Sequence, residues 1–284
     1  MIFLDSELSA AERDADAARF HVIPVPLEKT VSYGSGTADG PAAILEASDQ
    51  LERLWEGAEP CASGIHTQAP VDCSVPIDDV VAALAERTEA VARRGGIPVT
   101  LGGEHSLSYG AVTGVRRVVP DIGIVHIDAH ADMRVDYQGH RHSHASVMHL
   151  LAVEEGIPLA QYGVRALSPE ERDLRVASGV IHIDAGELVR GDISSVSLPP
   201  EFPNDVYVSF DLDGLDPSVM PATGTPVPGG LGFYQSLDLV ASALDGRRCV
   251  GIDVVELAPI SGSDGWNFTA AQITYALMSM AVAS

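Results

Sequence analysis

Cysteine is scarce in this chain. Its 284 residues include three, Cys61, Cys73 and Cys249, with no Cys-x-x-Cys pair. An odd number at such spacing excludes a disulfide framework and a thiolate zinc site. Basic side chains are also few. Seventeen Lys and Arg stand against 40 Asp and Glu, a net charge of −23. That imbalance excludes nucleic acid and anionic membrane as partners, and it favours cations, whether metal ions or a positively charged small molecule. No apolar run approaches the roughly 20 residues that span a bilayer. The first twenty residues lack the basic segment and long apolar stretch of a signal peptide, so the expected location is cytoplasmic. There is no internal repeat and no low-complexity linker, and residues 1–284 read as one domain.

Hydrophobic residues make up 46% of the sequence, enough for a large core. They fall into short apolar runs that alternate with helix-like stretches. The runs predict strands over 20–24, 97–101, 122–128, 159–164, 180–183, 206–211 and 248–254. Helices are expected over 41–47, 78–94, 106–115, 145–155, 169–177, 232–243 and 269–280. The second of these opens on Asp78-Asp79 and closes on Arg93-Arg94-Gly95, a charge order that suits a helix dipole and its glycine stop. Strands that are apolar throughout and separated by helices imply a parallel sheet covered on both faces. The expected fold is therefore α/β, a three-layer α/β/α sandwich with a mainly parallel central sheet. In such sheets ligands bind beyond the carboxyl ends of the strands.

Three of those ends carry unusual chemistry. Leu101-Gly102-Gly103-Glu104-His105-Ser106 follows one strand, and its glycines allow a sharp turn and close backbone approach. Asp128-Ala129-His130-Ala131-Asp132 follows the apolar Ile124-Val125-His126-Ile127. Because alternate residues of an extended segment point the same way, Asp128, His130 and Asp132 are expected to converge. Asp211-Leu212-Asp213 repeats the pattern before the strand breaks at Gly214 and Pro217, leaving Asp216 as a turn residue. Carboxylates and imidazoles gathered at the end of a buried strand are costly unless a cation neutralises them. Four aspartates and two histidines without a thiolate suit manganese or another borderline-hard divalent ion. Six ligands exceed what one open catalytic zinc uses. They suffice for two ions if two aspartates bridge.

At these residues the chain resembles the ureohydrolases, the arginase and agmatinase family. The resemblance covers nearly the whole chain. It includes Ser35-Gly36-Thr37 with Gly40-Pro41-Ala42-Ala43-Ile44, Ser143-His144-Ala145-Ser146, the segment 221–226 with Gly229-Gly230, and Asp253-Val254-Val255-Glu256. It implies the same three-layer fold, two manganese ions per subunit, and a homotrimer or homohexamer. It implies that His105, Asp128, Asp132 and Asp211 hold one ion, that His130, Asp128, Asp211 and Asp213 hold the other, and that Asp128 and Asp211 bridge. His144 matches the family's proton-shuttle histidine. Glu256 matches the acidic residue that contacts the substrate guanidinium, and Asp132 is implied to act catalytically as well as in metal binding. His140 and His142 read as rim residues. Asp253 reads as a support for the metals or as a hydrogen-bonded strand-end residue. One departure is Glu104, where the family often has Asp beside the histidine ligand.

The implied reaction is cleavage of a guanidino group to urea and an amine. Arginases recognise the amino-acid end of arginine partly through acidic residues after a Gly-x-Arg strand end. Here Gly163-Val164-Arg165 is followed by Ala166 and Ser168. That favours agmatine, with putrescine as the product amine, over arginine. A guanidino acid such as 4-guanidinobutyrate or 3-guanidinopropionate is the alternative, with Arg141 or Arg165 to receive its carboxylate. An arginase-fold deacetylase is disfavoured by the second Asp-x-Asp and the 221–226 segment, and a non-catalytic homologue by the complete ligand set.

Overall fold

Eight strands form one sheet, and every pairing in it is parallel. They are β1 (Phe20–Val25), β2 (Ile65–Thr67), β3 (Ile97–Gly102), β4 (Ile122–Ile127), β5 (Leu159–Tyr162), β6 (Ile181–Ile183), β7 (Asp205–Asp211) and β8 (Arg248–Val255). Their spatial order is β2-β1-β3-β8-β7-β4-β5-β6. The structure is a computed structural model and describes residues 1–284.

The helices are α1 (Gly40–Ser48), α2 (Ile77–Arg93), α3 (Ser108–Arg116), α4 (Val147–His149), α5 (Pro169–Ala177), α6 (Ala185–Arg190), α7 (Phe233–Ala243) and α8 (Gly265–Ala283). They cover both faces of the sheet, and strand periodicity shows how. In β1, Phe20 and Val22 enter one apolar core while Ile23 and Val25 enter the other. In β7, Val206, Val208 and Phe210 join the first core and Tyr207 the second. The first core is closed by α1, α7 and α8 through residues such as Ile44, Leu237 and Tyr275. The second is closed by α2, α3 and α4 through Leu84, Val112 and Val147. Two cores on opposite faces of one sheet make the three layers that the apolar strands imply. No helix is long and apolar enough to cross a membrane.

Some elements differ from the sequence expectation. β2 is a three-residue edge strand, Ile65-His66-Thr67, too short and too mixed to stand out as an apolar run. The short helix α6 was also not expected. The helix expected over 145–155 is irregular: a 3-10 turn at His144–Ser146, then α4, then a π-helical turn at Leu150–Glu154.

The chain visits β4, β5 and β6 on one side before β7 and β8 return to the centre beside β3. The middle strands β3, β8, β7 and β4 therefore lie side by side, although the chain reaches them far apart in sequence. Their carboxyl ends form a crevice of the kind where ligands bind in open α/β sheets.

Candidate metal centre

β3 delivers His105 through a tight turn. A Cβ on Gly103 would lie 2.0 Å from the Leu27 carbonyl oxygen, so only glycine fits there. That contact lets the Glu104 N–H donate to Leu27 O at 2.8 Å and seats His105 over the sheet's edge. Its environment is the most telling feature of the site. His105 Nδ1 lies 3.3, 3.2 and 3.1 Å from carboxylate oxygens of Asp128, Asp132 and Asp211, and it makes no hydrogen bond. On the other side of the ring, Nε2 lies 2.9 Å from Ser209 Oγ, and Ser209 donates its hydrogen to Asp253 Oδ1 at 2.8 Å. Ser209 has one hydrogen to give, so its oxygen accepts from His105 Nε2–H. In the neutral ring Nδ1 is then a bare lone pair facing three buried oxygens. Only a cation reconciles that arrangement. A proton is a partial substitute. Burial opposes charge on His105, but Asp128, Asp132 and Asp211 overcome it and hold its pKa well above the ordinary imidazole value.

The second half of the cluster is centred on His130. Its Nδ1 lies 3.1 Å from Asp213 Oδ2 and 3.4 Å from Asp128 Oδ1. Burial again opposes protonation, yet Asp213 and Asp128 raise the His130 pKa to about 12. Asp211 and Asp213 move the other way from ordinary carboxylates. Burial and their neighbouring aspartates push both upward. Together the six side chains have the chemistry to hold divalent cations: imidazole and carboxylate donors, little solvent, and a negative excess that is unstable alone.

All six residues meet, but strand alternation is not what brings them together. β4 ends at Ile127, and Asp128 to Asp132 is a loop whose His130 bridges to Ala166. Asp132 has a left-handed backbone at φ 52°. This bend turns its carboxylate towards His105, and its carbonyl accepts the Met148 and His149 amides. Asp211 ends β7, whereas Asp213 lies in the 3-10 turn Leu212–Gly214. The Asp213 amide donates to Asp211 Oδ1 at 2.8 Å, and the Ala129 amide donates to Asp213 Oδ1 at 3.1 Å. Asp216 is the turn residue expected, accepting from Ser218, Gly229 and Gly230.

Glu256 follows β8 and is also left-handed, at φ 66°. Non-glycine residues rarely adopt such angles, and strain of this kind gathers at functional sites. One of its oxygens accepts the His105 amide at 2.7 Å. Burial raises the Glu256 pKa to about 8. The cleft it faces is lined by His130, Asp132, His144, Asp211, Asp213 and Thr225, among others. The broader groove of about 620 Å³ between α2 and α3 contains none of the metal-site residues. His142 points there, its ring 5.1 Å from Tyr109 and its Nε2 3.6 Å from Asp78. His140 is exposed.

Two side chains of the site are not among the residues singled out from sequence. His126 lies inside β4, fully buried, with Nε2 2.9 Å from Asp128 Oδ2, and Gln161 donates to its Nδ1 at 3.1 Å. His105, His126 and Asp128 lie close enough to share one ion. A histidine within an apolar strand, two residues before Asp128, was the available signal. Ser209 lies likewise two residues before Asp211.

Residues 18–281 match the Arginase family. The chain belongs to that family. It is an enzyme of the hydrolase class. The N(1)-aminopropylagmatine ureohydrolase of Synechocystis sp. is 36% identical, over 97% of this chain and 92% of that protein. The enzyme of the same name from Thermus thermophilus is 38% identical, over 92% and 89%. Among solved structures, the agmatine ureohydrolase of Thermoplasma volcanium aligns over 98% of this chain and 97% of its own, with 29% identity and a TM-score of 0.79.

Proposed function

We propose that this arginase-family enzyme hydrolyses the terminal guanidino group of an agmatine-type polycation, releasing urea and a polyamine. The observation that carries it is the lone pair of His105 Nδ1 facing three buried carboxylates. His105, Asp128, Asp132 and Asp211 are the proposed holders of one manganese ion, and His130, Asp128, Asp211 and Asp213 of the other. When bound, such ions lower the pKa of water and supply a nucleophile at neutral pH. The protein side chains do the rest. Glu256 keeps one oxygen for the guanidinium while the other holds the His105 amide. A cation there favours the ionised form of this raised carboxyl. Water adds to the guanidinium carbon and gives up one proton to His144 Nε2, while Asp132 helps to balance the charge as the tetrahedral species forms. The bond from that carbon to the alkyl nitrogen then breaks. Its electron pair leaves with the nitrogen, which takes a proton from His144 Nε2.

The far end of the substrate is read as cationic. Arg165, one of two residues that would suit a guanidino acid, is spent on backbone: its guanidinium donates to carbonyls of Gly163, Asp213, Gly214, Leu215 and Val227. Arg141, the other, is paired with Glu154. N1-aminopropylagmatine is the first substrate to test, on the names of the two relatives, and agmatine the second, on that of the Thermoplasma enzyme. With either substrate the reaction would belong to polyamine biosynthesis. The reading includes one domain over 1–284 and a homotrimer or homohexamer. A monomer in sedimentation would remove that assembly.

The test is urea release after manganese loading, comparing N1-aminopropylagmatine, agmatine, arginine, 4-guanidinobutyrate and 3-guanidinopropionate by kcat/KM. The two polycations are expected to lead. No urea from any of them sinks the reaction, and faster release from a guanidino acid sinks the polycation.

A further inference from the structure

Glu104 is fully buried beside His105, yet its carboxylate turns away from the aspartate cluster. One oxygen accepts the amides of Lys29 and Thr30, each at 2.6 Å. The other accepts the hydroxyls of Thr30 at 2.8 Å and Ser106 at 2.6 Å. Thr30 belongs to the loop after β1. Nearby, Glu28 pins the same loop by accepting the amides of Gly36 and Ala38. Thr30 Oγ1 also meets His144 twice, at 3.1 Å from the backbone amide and at 3.2 Å from the ring Nδ1.

The hydrogen count at this hydroxyl has one solution. A threonine oxygen offers one hydrogen and two lone pairs. A carboxylate offers only acceptors, so the single hydrogen goes to Glu104. The two lone pairs remain for His144, one for its amide and one for its ring. His144 Nδ1 must therefore carry a hydrogen, and in the neutral ring Nε2 is the free lone pair. A histidine that shuttles protons through Nε2 needs this tautomer. It can load a proton at Nε2 and surrender it there. The opposite tautomer would load its proton at Nδ1, against Thr30 and away from the cleft.

We infer that Thr30 and Glu104 are positioning residues for the reaction: a Glu104–Thr30–His144 chain fixes the tautomer of His144, keeping the hydrogen on Nδ1 and the lone pair on Nε2. Neither residue touches the reacting atoms. This role rests on the proposed function, since it presumes that His144 supplies the proton. It also accounts for the longer acid at position 104. The carboxylate has to reach the loop after β1, where it takes two amides and a hydroxyl.

Three variants test it in the manganese-loaded enzyme, with metal content and melting temperature measured beside kinetics. Thr30→Val keeps the shape and removes the hydroxyl. Its kcat is expected to fall about 10-fold or more, within the roughly 10²–10⁴ that a whole positioned proton transfer supplies, while KM and two ions per chain are retained. Thr30→Ser restores the hydroxyl and most of kcat. Glu104→Gln keeps the acceptor for the Lys29 and Thr30 amides but turns an NH₂ towards Thr30. The threonine hydrogen is then released towards His144 Nδ1, the tautomer reverses, and kcat falls with metal content unchanged. A Thr30→Val enzyme with parental kcat overturns the inference, as does one no faster when serine replaces valine. Loss of metal in step with kcat reduces the chain to scaffolding and also overturns it. Should Thr30→Val fail to fold, Glu104→Gln decides alone, and parental turnover refutes the chain. If the parent enzyme releases no urea from any guanidine, the proposed function has failed rather than this inference.

Discussion

Asp128 is the residue on which both halves of the centre depend. Its two oxygens face His105 and His130, 3.3 and 3.4 Å away, and it is fully buried. Replacing it with asparagine removes a charge and presents an amide hydrogen where a cation should sit. Asp128→Asn is expected to lose metal and turnover together, by more than the 10–100-fold typical of changes to a ligand's outer hydrogen-bond partner. Isothermal titration with manganese and urea assay should report the same loss. His144 is the contrasting residue. It lines the cleft but is not among the six proposed ligands. His144→Phe is expected to bind two ions normally while kcat drops by about 10² to 10⁴. Normal turnover in the metal-loaded variant would end its assignment as proton donor.

At the scale of elements, loop ends rather than strands set the geometry. Arg165 binds five carbonyls from three segments, and two of these belong to the turn that carries Asp213. Arg165→Met would leave unpaired those acceptors with no other donor, though Gly214 O keeps the Leu231 amide, at about 1–3 kcal/mol each before relaxation and a few kcal/mol in all. A melting temperature lower by on the order of 10 °C is expected, at roughly 2–4 °C per kcal/mol for a domain of this class. Calorimetry checks it, and an unchanged transition would mean that Arg165 is no clamp. The same contrast separates what sequence could reveal from what it could not. Apolar runs such as Val206, Val208 and Phe210 announce a buried strand, because burial on both faces demands apolar side chains throughout. The six candidate ligands stand out for the same reason: charge at the end of such a run needs an explanation. The turns between them were not. Whether Asp132 bends back to His105 depends on a left-handed φ that its sequence does not announce. Thr30 meets His144 across 114 residues, a contact made by strand order rather than by any local pattern.

The whole molecule adds two electrostatic consequences, one for stability and one for encounter. In the metal-free protein, burial lifts the pKa of Glu256 to about 8, and the aspartates lift that of His130 to about 12. In both cases the folded chain holds more protons than the unfolded chain between pH 6.5 and 8, so stability falls as pH rises. Glu12 and Asp216, held down to about 2, act only on the acid side, and His21 and His142, whose pKa burial lowers, oppose the slope only at the acid end of this range. The metal-free melting temperature is therefore expected to drop by several degrees between pH 6.5 and 8. Manganese, which binds the folded state, should raise it and flatten the slope. A flat metal-free profile would show that the cluster is not carrying those protons. The net charge of −23 acts on encounter instead. On the proposed reading it would draw a polycation towards the protein through a field that salt screens with a Debye length of about 8 Å at physiological ionic strength. Raising salt should lower kcat/KM for N1-aminopropylagmatine more than for agmatine, because the former carries one more positive charge. Both should lose more than arginine, whose carboxylate the same field repels. Equal salt dependence for all three would mean that the acidic surface plays no part in choosing the substrate.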